Sequence, residues 1–225
     1  MNNIPATIEL NPSGDEPIAA VIWLHGLGAD GNDFVPVVER FNSDVSQKVR
    51  FIFPHAPFRN ITVNNGMRMR GWYDIAELDL TAEEDAAGIQ DSASQVAALI
   101  AHEESRGIKS DKIVLAGFSQ GGAIALQAGL RFAKPLGGIM VLSAYLPLAA
   151  TLAPERHTSN QKTPILMLHG LFDPIVPLML GQATRGTLEN LGYSVQWHTY
   201  AMGHSVMPEE LEDIHQFLQR VVGGG

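Results

Sequence analysis

The chain has 225 residues, 24 acidic against 15 basic side chains, a formal net charge of −9 and no cysteine. The acidic balance argues against nucleic acid or an anionic membrane as partner, and the missing cysteine removes disulfides, thiolate catalysis and cysteine-bound metal. With 45% hydrophobic and 17% charged residues, the composition is that of a globular chain with one sizeable core, expected to be a single domain over 1–225.

In chain order, Met1 to Pro17 is polar and shows no apolar signal region, and no run approaches the length of a membrane span. A cytoplasmic protein without integral membrane association is expected. Ala19 to His25 is a continuous apolar run, as in a strand buried on both faces. Val49–Phe53, Ile113–Ala116, Gly138–Leu142 and Ile165–His169 repeat that pattern, and Ser194–Tyr200 alternates more, as at a sheet edge. Between them lie helical signals. Thr81 to Glu84 reads as a capping box that opens a helix running to about Arg106. Further helices are expected over 120–131, 176–191 and 208–222. The fold class is therefore α/β, a mostly parallel sheet with helices on both faces and no separate lid domain. Phe58 to Leu80 breaks the rhythm with no clear strand or helix. It still holds Met67, Met69, Trp72, Tyr73 and Ile75, and is expected to form one wall of an apolar groove.

The sharpest motif is Gly117-Phe118-Ser119-Gln120-Gly121. It reads G-x-S-x-G between an apolar run and a helical stretch. Such a strand-turn-helix bend lifts a serine hydroxyl clear of the sheet. A hydroxyl is a weak nucleophile at neutral pH and needs a base in hydrogen-bond reach, itself oriented by an acid. In this topology acid and base follow the serine, in that order. Of the later histidines, His169 precedes the acid candidate, His198 lies inside a strand pattern, His215 inside a helix and His157 in a polar connection. His204 sits in a short loop after the last strand and is the expected base. Asp173, directly after the fifth apolar run, is the expected acid. Glu189, Glu209 and Glu210 fall on or at the start of helices and read as solvated faces.

Two backbone N–H donors are needed for the oxyanion. One should be Gln120, at a helix start. The other should come from the glycine-rich loop His25 to Gly31, whose spacing fits neither a dinucleotide fingerprint nor a P-loop. Asp30 and Asp33 in that loop read as turn and helix-cap groups.

Together these segments resemble the carboxylesterase and acyl-protein thioesterase group of small α/β-hydrolases. The resemblance is carried in order by Leu24-His25-Gly26-Leu27-Gly28 with Gly31, Phe53 to Pro57, Gly71-Trp72-Tyr73-Asp74, Gly117 to Gly122, Leu142 to Pro147, His169 to Pro177, and Gly203-His204. It implies a triad of Ser119, Asp173 and His204 and oxyanion donors at Leu27 and Gln120. It also implies an acyl groove lined by Trp72, Ile75, Leu171 and Val176. Phe172 departs from the small or polar residue more usual there. No metal and no cofactor are implied. The expected reaction is hydrolysis of carboxylic esters of short to medium acyl chain, on a small-molecule or lipid-like substrate. Acyl-protein thioesterase or lysophospholipase activity at the same site is the alternative. A peptidase and a non-catalytic ligand-binding hydrolase are the readings from other classes. The first would ordinarily carry an added domain, and the second a broken triad. The resemblance also allows a homodimer.

Overall fold

The computed structural model describes residues 4–11, 13–41, 46–77 and 83–223. Its strands are β1 (Thr7–Leu10), β2 (Ala19–Leu24), β3 (Val49–Pro54), β4 (Phe58–Ile61), β5 (Met67–Arg70), β6 (Ile113–Phe118), β7 (Gly138–Leu142), β8 (Ile165–Gly170) and β9 (Val195–Tyr200). Seven of them form one sheet in the order β1-β3-β2-β6-β7-β8-β9, antiparallel at β1–β3 and parallel at every other pairing. The helices are α1 (Val35–Val38), α2 (Ala86–Ser105), α3 (Gln120–Arg131), α4 (Ala149–Glu155), α5 (Leu178–Asn190) and α6 (Pro208–Gly223). This is the α/β-hydrolase architecture, and the described elements include no separate lid domain.

The apolar runs form central strands because both faces of each are covered. Successive side chains of a strand point to opposite faces. Val21 and Trp23, Val114 and Ala116, and Met140 and Leu142 enter a core beneath α6, with Phe34, Ile214 and Phe217. Ile22 and Leu24, with Ile113 and Leu115, turn the other way, under α2 and α3. Ile139, Val141, Ile165 and Met167 continue that second layer under Leu126, Leu152 and Leu188. A polar residue at any of these alternating positions would have to be buried, which explains runs without alternation.

Four features differ from the reading of the sequence. β1 adds an antiparallel edge strand; its partial exposure left it no apolar run. The segment expected to be irregular holds the antiparallel hairpin β4–β5. Asn65 and Gly66, both at positive φ, turn this hairpin, as an Asn-Gly pair favours. The long helix opens at Ala86, not Thr81, with Asp85 as its N-cap accepting from the Gly88 N–H. Thr81 and Ala82 of the expected capping box lie outside the described residues. Glu84 instead accepts from the Leu148 N–H at the start of α4, so its carboxylate serves a different helix. Finally, the short helices α1 and α4 carried too few turns to leave a readable period. Among the described residues no helix is long and apolar enough to cross a membrane.

Candidate active site

Parallel pairing puts the C-terminal ends of β2, β6, β8 and β9 along one edge of the sheet. The loops after these strands carry Leu27, Ser119, Asp173 and His204, so residues far apart in sequence converge there. Ser119 lies between β6 and α3 at φ +53°, ψ −122°. A non-glycine residue pays for this conformation in strain, and the surrounding backbone must hold it there. The Ser119 N–H donates to the Leu142 carbonyl at 2.8 Å, and the Ser119 carbonyl accepts from the Ala123 N–H.

His204 Nε2 stands 2.9 Å from Ser119 Oγ, and His204 Nδ1 stands 2.7 Å from Asp173 Oδ2. The acidic partner fixes the proton on Nδ1, which leaves Nε2 free to accept from the serine hydroxyl. The second carboxylate oxygen of Asp173 accepts from the Ile175 and Val176 N–H groups, each at 2.9 Å. Three donors therefore hold a buried carboxylate, which satisfies the desolvated charge. His169, also buried, donates from Nε2 to the Val176 carbonyl at 2.8 Å and closes the same loop. Burial pushes its imidazole below the usual histidine range, which keeps it neutral there. The acid and base loops are tied to each other. The Leu171 N–H donates to the Tyr200 carbonyl and the Phe172 N–H to the Met202 carbonyl. The Phe118 ring packs on the His204 ring with centroids 4.7 Å apart and limits its tilt.

Three of the other histidines after Ser119 have partners elsewhere. His198 meets Gln196, His215 meets Gln219, and His157 accepts from the Ser159 N–H. Asp30 closes a turn by accepting from the Asn32 N–H, but Asp33 caps no helix, since α1 begins after Phe34 with no side-chain cap.

The two residues expected as oxyanion donors are brought together. β2 and β6 are neighbours with Leu24 opposite Gly117, so the loop after β2 runs beside the serine turn. A Cβ built on Gly26 would lie 3.5 Å from Ser119 Cβ. Gln120 is the first residue of α3, where backbone N–H groups lack acceptors within the helix and the dipole favours negative charge. The expected groove residues divide. Leu171 is 43% exposed at the mouth, and Ile75 is partly buried against the core. Trp72 and Val176 are 0% and 2% exposed, so neither offers surface to a substrate. They are buried because the Trp72 indole fills the core beside the β2 loop and Val176 serves through its backbone. Further apolar surface here belongs to residues that the sequence reading did not place in the groove. Phe172, Ile175 and Met179 are all well exposed beside Leu171, with Phe172 at 71%.

Glu210 also departs from expectation. It is fully buried in the first turn of α6, just beyond the His204 loop, and one of its oxygens accepts from the Met207 N–H. Desolvation pushes its carboxyl up to about 8 from 4.5, with Asp213 adding to the rise against the Met207 hydrogen bond. The folded state thus keeps a proton that the unfolded chain releases. Its contribution to stability is complete below about pH 4.5 and is lost as pH climbs through 8. The gap corresponds to at most ~5 kcal/mol, and water reaching the ionised carboxylate lowers this to about 2 kcal/mol. Glu210→Gln should therefore flatten the fall of melting temperature between pH 5 and pH 9 by roughly 4–8 °C. Parallel curves for the two proteins would show that Glu210 ionises freely.

The family model for phospholipases and carboxylesterases matches residues 6–222. An acyl-protein thioesterase 1 of Gibberella zeae is 44% identical over 218 residues, covering 93% of each chain. A second, of Neurospora crassa, is 45% identical over 219 residues, covering 93% of this chain and 89% of that one. Among solved structures, acyl-protein thioesterase 2 of Zea mays superposes with a TM-score of 0.86 at 30% identity, over 97% of this chain and all of its own.

Proposed function

The chain belongs to the phospholipase/carboxylesterase family and is a hydrolase, and within that family we propose that it cleaves carboxylic esters of short to medium acyl chain through Ser119, His204 and Asp173. The observation that carries this reading is the unbroken line of hydrogen bonds from Asp173 through His204 to Ser119. Ser119 Oγ attacks the acyl carbonyl while His204 Nε2 takes its proton. Asp173 steadies the imidazolium so formed. The Leu27 and Gln120 amides receive the negative oxygen of the tetrahedral intermediate. His204 then gives its proton to the departing alcohol, leaving an acyl-enzyme on Ser119. Water, deprotonated by the same imidazole, releases the acid.

The leaving group plays no part in the line of hydrogen bonds, so an alcohol or a thiol is served equally. Thioester cleavage is the second reading, favoured by relatives at 44–45% identity that are acyl-protein thioesterases. The exposed Leu171, Phe172, Ile175 and Met179 give an acyl chain apolar surface beside the base under either reading.

A fluorophosphonate probe should label this chain once, on the peptide bearing Ser119; labelling of another serine would refute the assignment. Turnover of p-nitrophenyl esters from acetate to decanoate, set against S-acyl peptides of the same chain lengths, separates the two readings. A kcat/KM for the peptides at least 10-fold above that for matched esters selects the thioesterase.

A further inference from the structure

We propose that the side chains of Trp72 and Gln120 are positioning residues that fix the separation of the Leu27 and Gln120 amides. This rests on the reading of those amides as the oxyanion donors.

The two donors sit on separate pieces of chain, the loop after β2 and the start of α3. One short segment, 70–73, is bonded to both. On the β2 loop, the Gly28 N–H donates to the Arg70 carbonyl at 2.8 Å, and the Trp72 indole Nε1–H donates to the His25 carbonyl at 2.9 Å. Leu27 itself presses on Gly71, where a Cβ would lie 2.9 Å from Leu27 Cδ1. On the α3 side, Gln120 Oε1 accepts from the Trp72 N–H at 2.7 Å, and Gln120 Nε2 donates to the Tyr73 carbonyl at 2.7 Å. Segment 70–73 is in turn anchored to α2, since Ser92 Oγ donates to the Trp72 carbonyl. The start of the β2 loop is held by His25, whose Nδ1 lies 2.7 Å from the Gly26 carbonyl and whose Nε2 accepts from the Ala56 N–H at 3.0 Å. Burial pushes the His25 imidazole down to about 4, so this donor-acceptor arrangement persists across neutral pH.

A side chain at the first position of a helix ordinarily points into solvent. Gln120 is instead buried, with both ends of its amide bonded to the same two-residue stretch. Its backbone and side chain thus serve two purposes. On the oxyanion reading the backbone N–H serves the reacting oxygen, and the side chain sets the distance to the loop that bears the other donor. Donors must lie about 2.7–3.1 Å from the developing oxyanion, and a displacement of about 1 Å costs on the order of 100-fold in rate. Trp72, sought in the sequence as a groove wall, acts from behind the site.

Three variants test this. Gln120→Met keeps length and apolar volume but loses both hydrogen bonds. Gln120→Glu keeps the acceptor for Trp72. Trp72→Phe keeps ring packing and loses the bond to His25. Each is compared with Leu188→Ala, a truncation in the core layer under α5 that touches none of the hydrogen bonds of segment 70–73 and that should itself lower stability. The readouts are kcat on p-nitrophenyl acetate and inhibition by an alkyl trifluoromethyl ketone, whose serine adduct carries an oxyanion. The matching methyl ketone, which forms no stable adduct, reports groove binding alone. Gln120→Met and Trp72→Phe should lower kcat about 10- to 100-fold and weaken the trifluoromethyl ketone by the same factor. Methyl ketone binding should stay within about twofold, Gln120→Glu should fall between wild type and Gln120→Met, and Leu188→Ala should keep its kcat. Values for the brace variants no lower than for Leu188→Ala overturn the proposal. Should Gln120→Met fail to fold, Trp72→Phe decides. Ser119→Ala runs alongside: if it retains turnover the hydrolase mechanism fails, whereas an inactive Ser119→Ala beside fully active brace variants condemns the brace alone.

Discussion

Ser119→Ala should lower kcat on p-nitrophenyl acetate by about 10⁴-fold or more, with the protein still folded. On the proposed mechanism, removal of Oγ takes away the nucleophile and leaves only what the proposed amide donors and substrate binding provide. The loss should not grow when His204→Ala is added, because the base has nothing left to deprotonate. Asp173→Asn should cost about 10²- to 10⁴-fold, since an amide facing His204 Nδ1 no longer selects the tautomer with Nε2 unprotonated. Backbone strain supplies a further check. Ser119 holds φ +53°, and alanine must hold it too. Ser119→Gly relieves the strain and should be inactive, yet no less stable than Ser119→Ala and by about 1 kcal/mol more so. Near-normal turnover of Ser119→Ala would remove the nucleophile from this serine, and a Ser119→Gly protein that melts well below Ser119→Ala would deny the strain.

The order of these candidate residues was legible in the chain because His204 follows the alternating edge strand β9, while Leu27, Ser119 and Asp173 each follow an apolar strand buried on both faces. Such strands advertise themselves, and parallel pairing brings their ends to one edge. Ser119 could therefore be nominated from its G-x-S-x-G motif, and Asp173 and His204 from their positions after later strands; the structure places His204 2.7 Å from Asp173 and 2.9 Å from Ser119. What was not legible depended on which way a side chain faces. Trp72 and Leu171 are both large apolar groups in loops, but one is fully buried under a hydrogen bond to His25 and the other is exposed. Glu210 sits where a helix-start acid is ordinarily solvated, and only the packing of α6 against the sheet buries it. The β4–β5 hairpin did leave a signal, Asn65-Gly66 ahead of alternating Met67-Arg68-Met69-Arg70, but its first strand ends in a 3₁₀ turn that blurs the period.

Gly121→Ala is expected to destabilise the fold by about 3–5 kcal/mol, a large part of a typical domain's total stability. A Cβ there would lie 2.3 Å from the Leu24 carbonyl oxygen and 2.6 Å from that of His25. Both are backbone atoms at the end of a central strand, so no side chain can turn aside to make room. The clash can be relieved only by lifting α3 off β2, which would separate Gln120 from the Leu27 loop. Stability and turnover should therefore fall together, and a second-site change that restores melting temperature should not restore kcat. Gly117→Ala should behave alike, since its Cβ would lie 2.3 Å from the backbone of Gly121. The contrasting case is Gly186 in α5, where a Cβ meets nothing within 4 Å. Gly186→Ala should raise stability by about 0.5–1 kcal/mol through lost freedom in the unfolded chain, with activity unchanged. Thermal melts and kcat for the three proteins discriminate cleanly. Equal melting temperatures for Gly121→Ala and wild type would mean that α3 and β2 are not held in contact at this point, and the close crossing of strand and helix behind Ser119 would have to be abandoned.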